Sequence, residues 1–126
     1  MVEEAIEQDP EFPGAYLLLG ATHWMDVIYG SSKSPEESLR RAFELTKKAI
    51  ALDDSDATAH SLLGWLYVFM KREYDKAIAE CEQAVALAPS SAMANIWMSG
   101  VLTFAGRHEE AVRYAEQALR LNPFPE

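Results

Sequence analysis

The recurrence of one short block constrains this chain more than any other feature. Ala118-Leu119-Arg120-Leu121-Asn122-Pro123 repeats Ala84-Val85-Ala86-Leu87-Ala88-Pro89 at a spacing of 34 residues, and Ala111 repeats Ala77 at the same spacing. Upstream, Ala49-Ile50-Ala51-Leu52 precedes the block by 35, and Ala5-Ile6 precedes Ala49-Ile50 by 44. The clearest copy runs from Ala57 to Pro89, where two helical patterns meet at the polar turn Lys71-Arg72-Glu73 and a proline closes the unit. Leu63, Gly64 and Tyr67 fall on one face of its first pattern, and Ala77, Cys81 and Ala84 on one face of its second. Small residues at that spacing let two helix backbones approach closely, while the Leu and Tyr fill the remaining space. One helix pair of this size cannot bury its apolar face alone, but stacked copies can. The spacing predicts helices near 2–8, 13–29, 35–52, 57–71, 74–88, 92–104 and 108–121.

The period and the residues it aligns make the chain resemble the tetratricopeptide repeat family. The family's Leu-Gly pair matches Leu19-Gly20 and Leu63-Gly64, with Met98-Ser99 in the third copy. Its tyrosine matches Tyr67, with His23 and Leu102 elsewhere, and its turn glycine matches Gly106. Its second-helix alanines match Ala42 and Ala49, Ala77 and Ala84, Ala111 and Ala118. The closing proline matches Pro10, Pro89 and Pro123, with Asp54 once in its place. The resemblance implies an all-α fold, antiparallel helix-turn-helix repeats stacked as a right-handed solenoid. The expected organisation is a single domain over 1–126: the second half of a helix pair at 1–10, then repeats at 13–54, 57–89 and 92–123. The first full repeat carries an insertion near 30–34. Neither end has the polar face that usually caps an array, so a segment of a longer protein is expected.

Local signals place the turns. Ser34-Pro35-Glu36-Glu37 reads as a capping box, with Ser34 as N-cap and Glu37 at the third helical position. Asp56 and Ser90-Ser91 read as caps of the helices that follow them. Lys47 and Lys48 fall near the negative end of their helix.

Composition narrows the function classes. A formal net charge of −9 opposes binding to nucleic acid or an anionic membrane, because phosphates would be repelled. One cysteine cannot form an internal disulfide, which fits a reducing compartment, and a cytoplasmic location is expected. No apolar run reaches the length of a membrane span.

Catalytic chemistry finds little footing. Gly30-Ser31-Ser32-Lys33-Ser34 lacks the second glycine of a phosphate loop and follows a helix rather than a strand. His23, His60 and His108 fall on three different repeats without the i, i+4 pairing of metal ligands. Cys81 sits where a helix seam needs a small apolar residue, so it reads as a packed thiol. Glu3-Glu4, Glu36-Glu37 and Glu109-Glu110 read as solvated charge. A non-enzymatic protein with no cofactor and no metal is expected.

The resemblance further implies a concave face lined by first-helix residues. Carried over, these are Leu17, Ala21, Trp24 and Met25, then Ser61, Trp65, Val68 and Phe69, then Ile96, Gly100, Thr103 and Phe104. Family members that clamp a peptide carboxylate use Lys, Arg and Asn there, and this set contains none. It reads instead as an apolar, aromatic groove for a protein or an amphipathic peptide. Cover by flanking repeats of a longer protein accounts for the same residues equally well. Val112, Ala115 and Leu119 recur at i, i+3 and i+7 on the last helix. With Phe124 they form an apolar stripe expected to self-associate as a homodimer. A softer resemblance, carried by Thr22-His23-Trp24-Met25-Asp26, Ser34-Pro35-Glu36-Glu37-Ser38 and Ala105-Gly106-Arg107, is to arrays attached to prokaryotic nucleotide cyclases and related regulators. It implies a rival role, a spacer or self-association module within a signalling protein.

Overall fold

The computed structural model describes residues 12–122, and over them the only regular structure is helix. In chain order the helices are α1 (Pro13–Ile28), α2 (Pro35–Leu52), α3 (Ala57–Lys71), α4 (Tyr74–Leu87), α5 (Ala92–Phe104) and α6 (His108–Leu121). Each boundary falls within one residue of its sequence expectation. The helix expected near 2–8 lies outside the described residues. Two compact units divide the chain, Met1–Ser55 and Asp56–Glu126. In the first, α1 pairs with α2. In the second, α3 pairs with α4 and α5 with α6, and α5 also packs on α3 and α4.

The starts of the helices follow from the residues that precede them. Pro13 and Pro35 occupy first-turn positions, where a missing N–H costs nothing and the ring fixes φ for a helix. Asp56 Oδ1 accepts from Thr58 N at 2.9 Å, and Ser91 Oγ from Ala94 N at 3.1 Å. The capping box expected at Ser34 does not form: the Ser34 side chain accepts no capping bond. Arg40 takes Glu37 instead, through Nε at 3.1 Å and a second contact from Nη2, and reaches Glu44 at 2.9 Å. The Ser34 N–H, which a capping box would give to Glu37, donates to Ser32 Oγ at 3.2 Å. Lys47 and Lys48 lie over the rings of Phe43 and Tyr16, 5.2 and 6.0 Å from their centroids.

The turns differ in chemistry. Gly106, at φ +82°, ends α5 with Arg107 N bonded to Leu102 O and Gly106 N to Thr103 O. That is the paired closure of a Schellman motif. Arg72 ends α3 in the same left-handed region, φ +50°, without the freedom of glycine. In the 30–34 insertion, the backbone N–H groups of Ser31 and Ser32 both donate to Asp26 O and close the end of α1.

The two helices of each pair are held close by small residues. Ala42, Ala49, Ala77, Ala84, Ala111 and Ala118 are all buried. A Cβ built on Gly64 would lie 2.6 Å from Cys81 Sγ and 2.9 Å from Ala77 O. One on Gly20 would lie 3.0 Å from Thr46 Oγ1 and 3.3 Å from Ala42 O. The core of the second unit joins Val68, Ala77, Ile78 and Cys81 to Met98, Val101, Leu102 and Ala111.

Candidate protein-interaction surface

In the second unit, α3 and α5 bring four rings together. The Trp65 indole stacks on Phe69 with centroids 5.8 Å apart and planes at 21°. It meets Phe104 edge-on at 5.5 Å and Trp97 edge-on at 6.2 Å. Phe69 and Phe104 are 5.8 Å apart. Gly100 makes room for this cluster: a Cβ there would lie 2.8 Å from Trp65 Cη2 and nearer still to Cζ2. Edge-on and offset ring contacts of this kind satisfy the ring quadrupoles. Trp65 is half-buried, and its Nε1 is buried with no hydrogen-bond partner among the described residues.

The cluster has a wet side. Phe69 is 45% exposed, Phe104 52% and Ile96 48%. Thr103 is exposed too, with its hydroxyl bonded to Ser99 O at 2.9 Å. Two residues expected on this surface lie elsewhere: Ser61 is buried, and Val68 belongs to the core. The helical turn explains the split. At 100° per residue, Phe69 stands about 40° from Trp65 on the helix wheel, while Val68 stands about 60° to its other side. Sequence reasoning missed Trp97, which sits beside the core residue Met98. Its one signal was being a third tryptophan close to the Trp65 repeat interval.

In the first unit, Trp24 is buried, Met25 is exposed, and Leu17 and Ala21 are half-buried.

On α6, Val112 and Leu119 are exposed and Ala115 half-buried, while Phe124 lies outside the described residues. Beside them an apolar cavity of about 240 Å³ is lined by Ala92, Ile96, Ser99, Ala115, Ala118, Leu119 and Asn122.

The ionisable candidates serve structure. Cys81 is fully buried, and burial, with Glu80 adding repulsion, pushes its thiol up to about 12. Buried His60 bonds through Nδ1 to Glu80 Oε1 at 3.0 Å, and Arg41 Nε donates to His23 Nε2 at 3.4 Å. His108 is exposed. Among the described residues no three His, Cys, Asp or Glu side chains gather as metal ligands, and no helix is long and apolar enough to cross a membrane.

Known proteins place this geometry. Tetratricopeptide repeat family models match residues 36–92 and 94–125. No curated protein matches the sequence. Among solved structures, TTC0263, a thermophilic tetratricopeptide protein of Thermus thermophilus, is 23% identical with a TM-score of 0.83 over 98% of this chain. MamA is 28% identical with a TM-score of 0.73 over 97% of the chain. YrrB, described as a tetratricopeptide protein with an unusual peptide-binding site, is 25% identical with a TM-score of 0.77 over 97%. The chain spans 63%, 65% and 57% of those three solved chains. None of the three is described as a cyclase-attached array. The two family matches together span most of the sequence, and the chain carries tetratricopeptide repeats.

Proposed function

We propose that the chain is a non-enzymatic repeat scaffold that holds a partner protein or amphipathic peptide against the aromatic surface of α3 and α5. The observation that carries this reading is the pairing of Phe69 and Phe104, each about half exposed and only 5.8 Å apart. Full burial of an exposed apolar side chain is worth about 1.5–3 kcal/mol, so a ligand that covers these half-exposed rings gains roughly half of that for each. The likeness to YrrB, whose description names a peptide-binding site, supports a peptide as the ligand. Ile96, Gly100 and Thr103 on α5 extend the surface; in the first unit, taken by itself, Leu17, Ala21 and Met25 offer accessible apolar surface, while Trp24 is buried. The single-domain organisation with repeats at 13–54, 57–89 and 92–123, the cytoplasmic location and the independence from cofactors belong to the same reading. Titration of the chain with amphipathic helical peptides, followed by tryptophan fluorescence, tests it. Phe104→Glu should abolish binding without loss of helix.

The net charge of −9 argues against nucleic acid and anionic membranes as main partners, because phosphates would be repelled. Duplex and single-stranded probes should show no low-micromolar binding by fluorescence anisotropy at physiological salt.

A second reading, self-association through Val112, Ala115, Leu119 and Phe124, is favoured by the apolar cavity beside exposed Leu119. Leu119→Glu should then convert dimer to monomer in light scattering across a concentration series. The spacer role in a cyclase or related regulator draws no support from the relatives.

A further inference from the structure

A cavity of about 390 Å³ opens on the side of α6 opposite the apolar one, and its chemistry is polar. Its floor is Asn95, 2% exposed, whose side-chain amide donates to Ser91 O at 2.9 Å. Its wall carries Glu110, Arg113, Gln117 and Arg120, which share one face of the helix by their three- and four-residue spacing.

Charge within this wall is sorted. Arg107 holds both oxygens of Glu110, through Nε at 2.8 Å and Nη2 at 2.7 Å, so that carboxylate is already neutralised. Gln117 Oε1 accepts from Arg120 Nε at 3.1 Å and Nη2 at 2.8 Å, which orients the guanidinium without pairing it to a carboxylate among the described residues. Arg113 forms no ion pair among the described residues, and Glu116, one turn from either arginine, pairs with neither. Two guanidiniums that form no ion pair among the described residues therefore line one cavity in a chain of net charge −9, although the charge of Arg113 also helps lower the Glu110 carboxyl.

Seven residues of helix separate Arg113 from Arg120, a rise of about 10 Å. A peptide in the extended polyproline-II conformation covers about 9 Å in three residues and returns every third side chain to the same face. Guanidiniums bind carboxylates through paired, charge-assisted hydrogen bonds. We propose that this cavity docks an extended acidic segment of a partner protein, two of whose carboxylates, three residues apart, engage Arg113 and Arg120. The site is separate from the aromatic surface and asks for the opposite ligand chemistry.

The test uses the full chain and a fluorescein-labelled peptide, Gly-Ser-Glu-Ser-Gly-Glu-Ser-Gly, with a twin carrying Gln for both Glu. Anisotropy reads affinity at physiological salt, and NMR reads the Asn95 side-chain amide. The Glu peptide should bind and shift the Asn95 resonances, and the Gln twin should bind at least about tenfold more weakly. Arg113→Gln and Arg120→Gln should each weaken binding about tenfold. Phe104→Glu and Arg40→Gln should leave it unchanged, which separates this site from the aromatic one and from general charge. Both exposed arginines can be replaced without touching the core, and circular dichroism verifies the fold. Equal binding of the two peptides, binding of neither, or an unchanged affinity in the Arg113→Gln, Arg120→Gln double variant would overturn the proposal. So would saturation of the Asn95 shifts by inorganic phosphate with no effect of peptide.

Discussion

Ser99 donates a 2.7 Å hydrogen bond from its hydroxyl to the carbonyl of Ala111, across the α5–α6 pair. At the matching point of α3–α4, Gly64 lies against the carbonyl of Ala77, and in α1–α2 Gly20 lies against that of Ala42. Each pair thus has a tight contact at one and the same repeat position. Two pairs meet it with no side chain, and the third with a side chain that bonds the oxygen it faces.

Substitutions at this position should therefore differ in sign of cause. Gly64→Ala should destabilise by about 1–3 kcal/mol, because its Cβ meets Cys81 Sγ and a backbone oxygen that cannot rotate away. Ser99→Ala removes only a hydrogen bond and should cost about 1 kcal/mol. Urea unfolding measures both. A Gly64→Ala protein as stable as the parent would mean the helices spread at no cost.

At the end of α3, Arg72 holds the left-handed conformation that Gly106 holds at the end of α5. An L side chain there costs about 1–2 kcal/mol relative to the right-handed region, and glycine escapes most of it. Arg72→Gly should raise stability by about 0.5–1 kcal/mol, read as a higher unfolding midpoint at unchanged slope. A lower midpoint would show that the Arg72 side chain contributes more than its backbone strain costs.

Cys81 gives the protein a one-sided response to alkali. Its folded thiol is pushed up to about 12 from an ordinary 9.0, first by burial and then by Glu80. The folded state therefore keeps a proton that the unfolded chain releases. By linkage, this contribution is fully present below about pH 9 and falls as pH rises toward 12. Cys81→Ala should flatten that part of the stability profile, and native Cys81 should resist iodoacetamide at pH 8 until the protein is unfolded. Rapid alkylation of the native protein would contradict the buried, protonated thiol.

Much of this fold was legible because its punctuation is local. Pro13 and Pro35 mark helix starts, Asp56 and Ser91 cap as their residue types require, and the alanines at 34- and 35-residue spacing mark the packed seams. Ser34 misled because its N–H bonds Ser32 Oγ, while its expected partner Glu37 is bound by Arg40, one helical turn away. The interaction surface was harder to place. Phe69 and Phe104 followed from their repeat positions, but Val68 turns into the core and Trp97 turns out of it. Val68 and Thr103 hold the same repeat position 35 residues apart, yet apolar Val68 is buried and Thr103, its hydroxyl bonded to Ser99 O, is exposed, so repeat position alone does not settle burial. The charged face of α6 was not legible, because Arg113 and Arg120 acquire meaning only from what their neighbours bind.

Trp65 itself is a poor place to probe binding. Its ring packs on Phe69, Phe104 and Trp97 and lies over Gly100, so Trp65→Glu should unfold the second unit as well as remove a contact. Loss of helical signal in that variant, with Phe69→Glu still folded, is the expected outcome. A folded Trp65→Glu protein would place the indole at the surface.

The most direct measurement is the affinity of the chain for a labelled amphipathic peptide with leucines at i, i+3, i+4 and i+7, compared among the parent, Phe69→Glu and Phe104→Glu. Both phenylalanines are exposed, so both variants should keep their helix content. The account predicts micromolar binding by the parent and at least about tenfold loss in each variant, as expected for a charge placed in an apolar contact. Absence of binding, or equal affinity in all three proteins, would contradict the aromatic surface of α3 and α5 as the site where a partner is held.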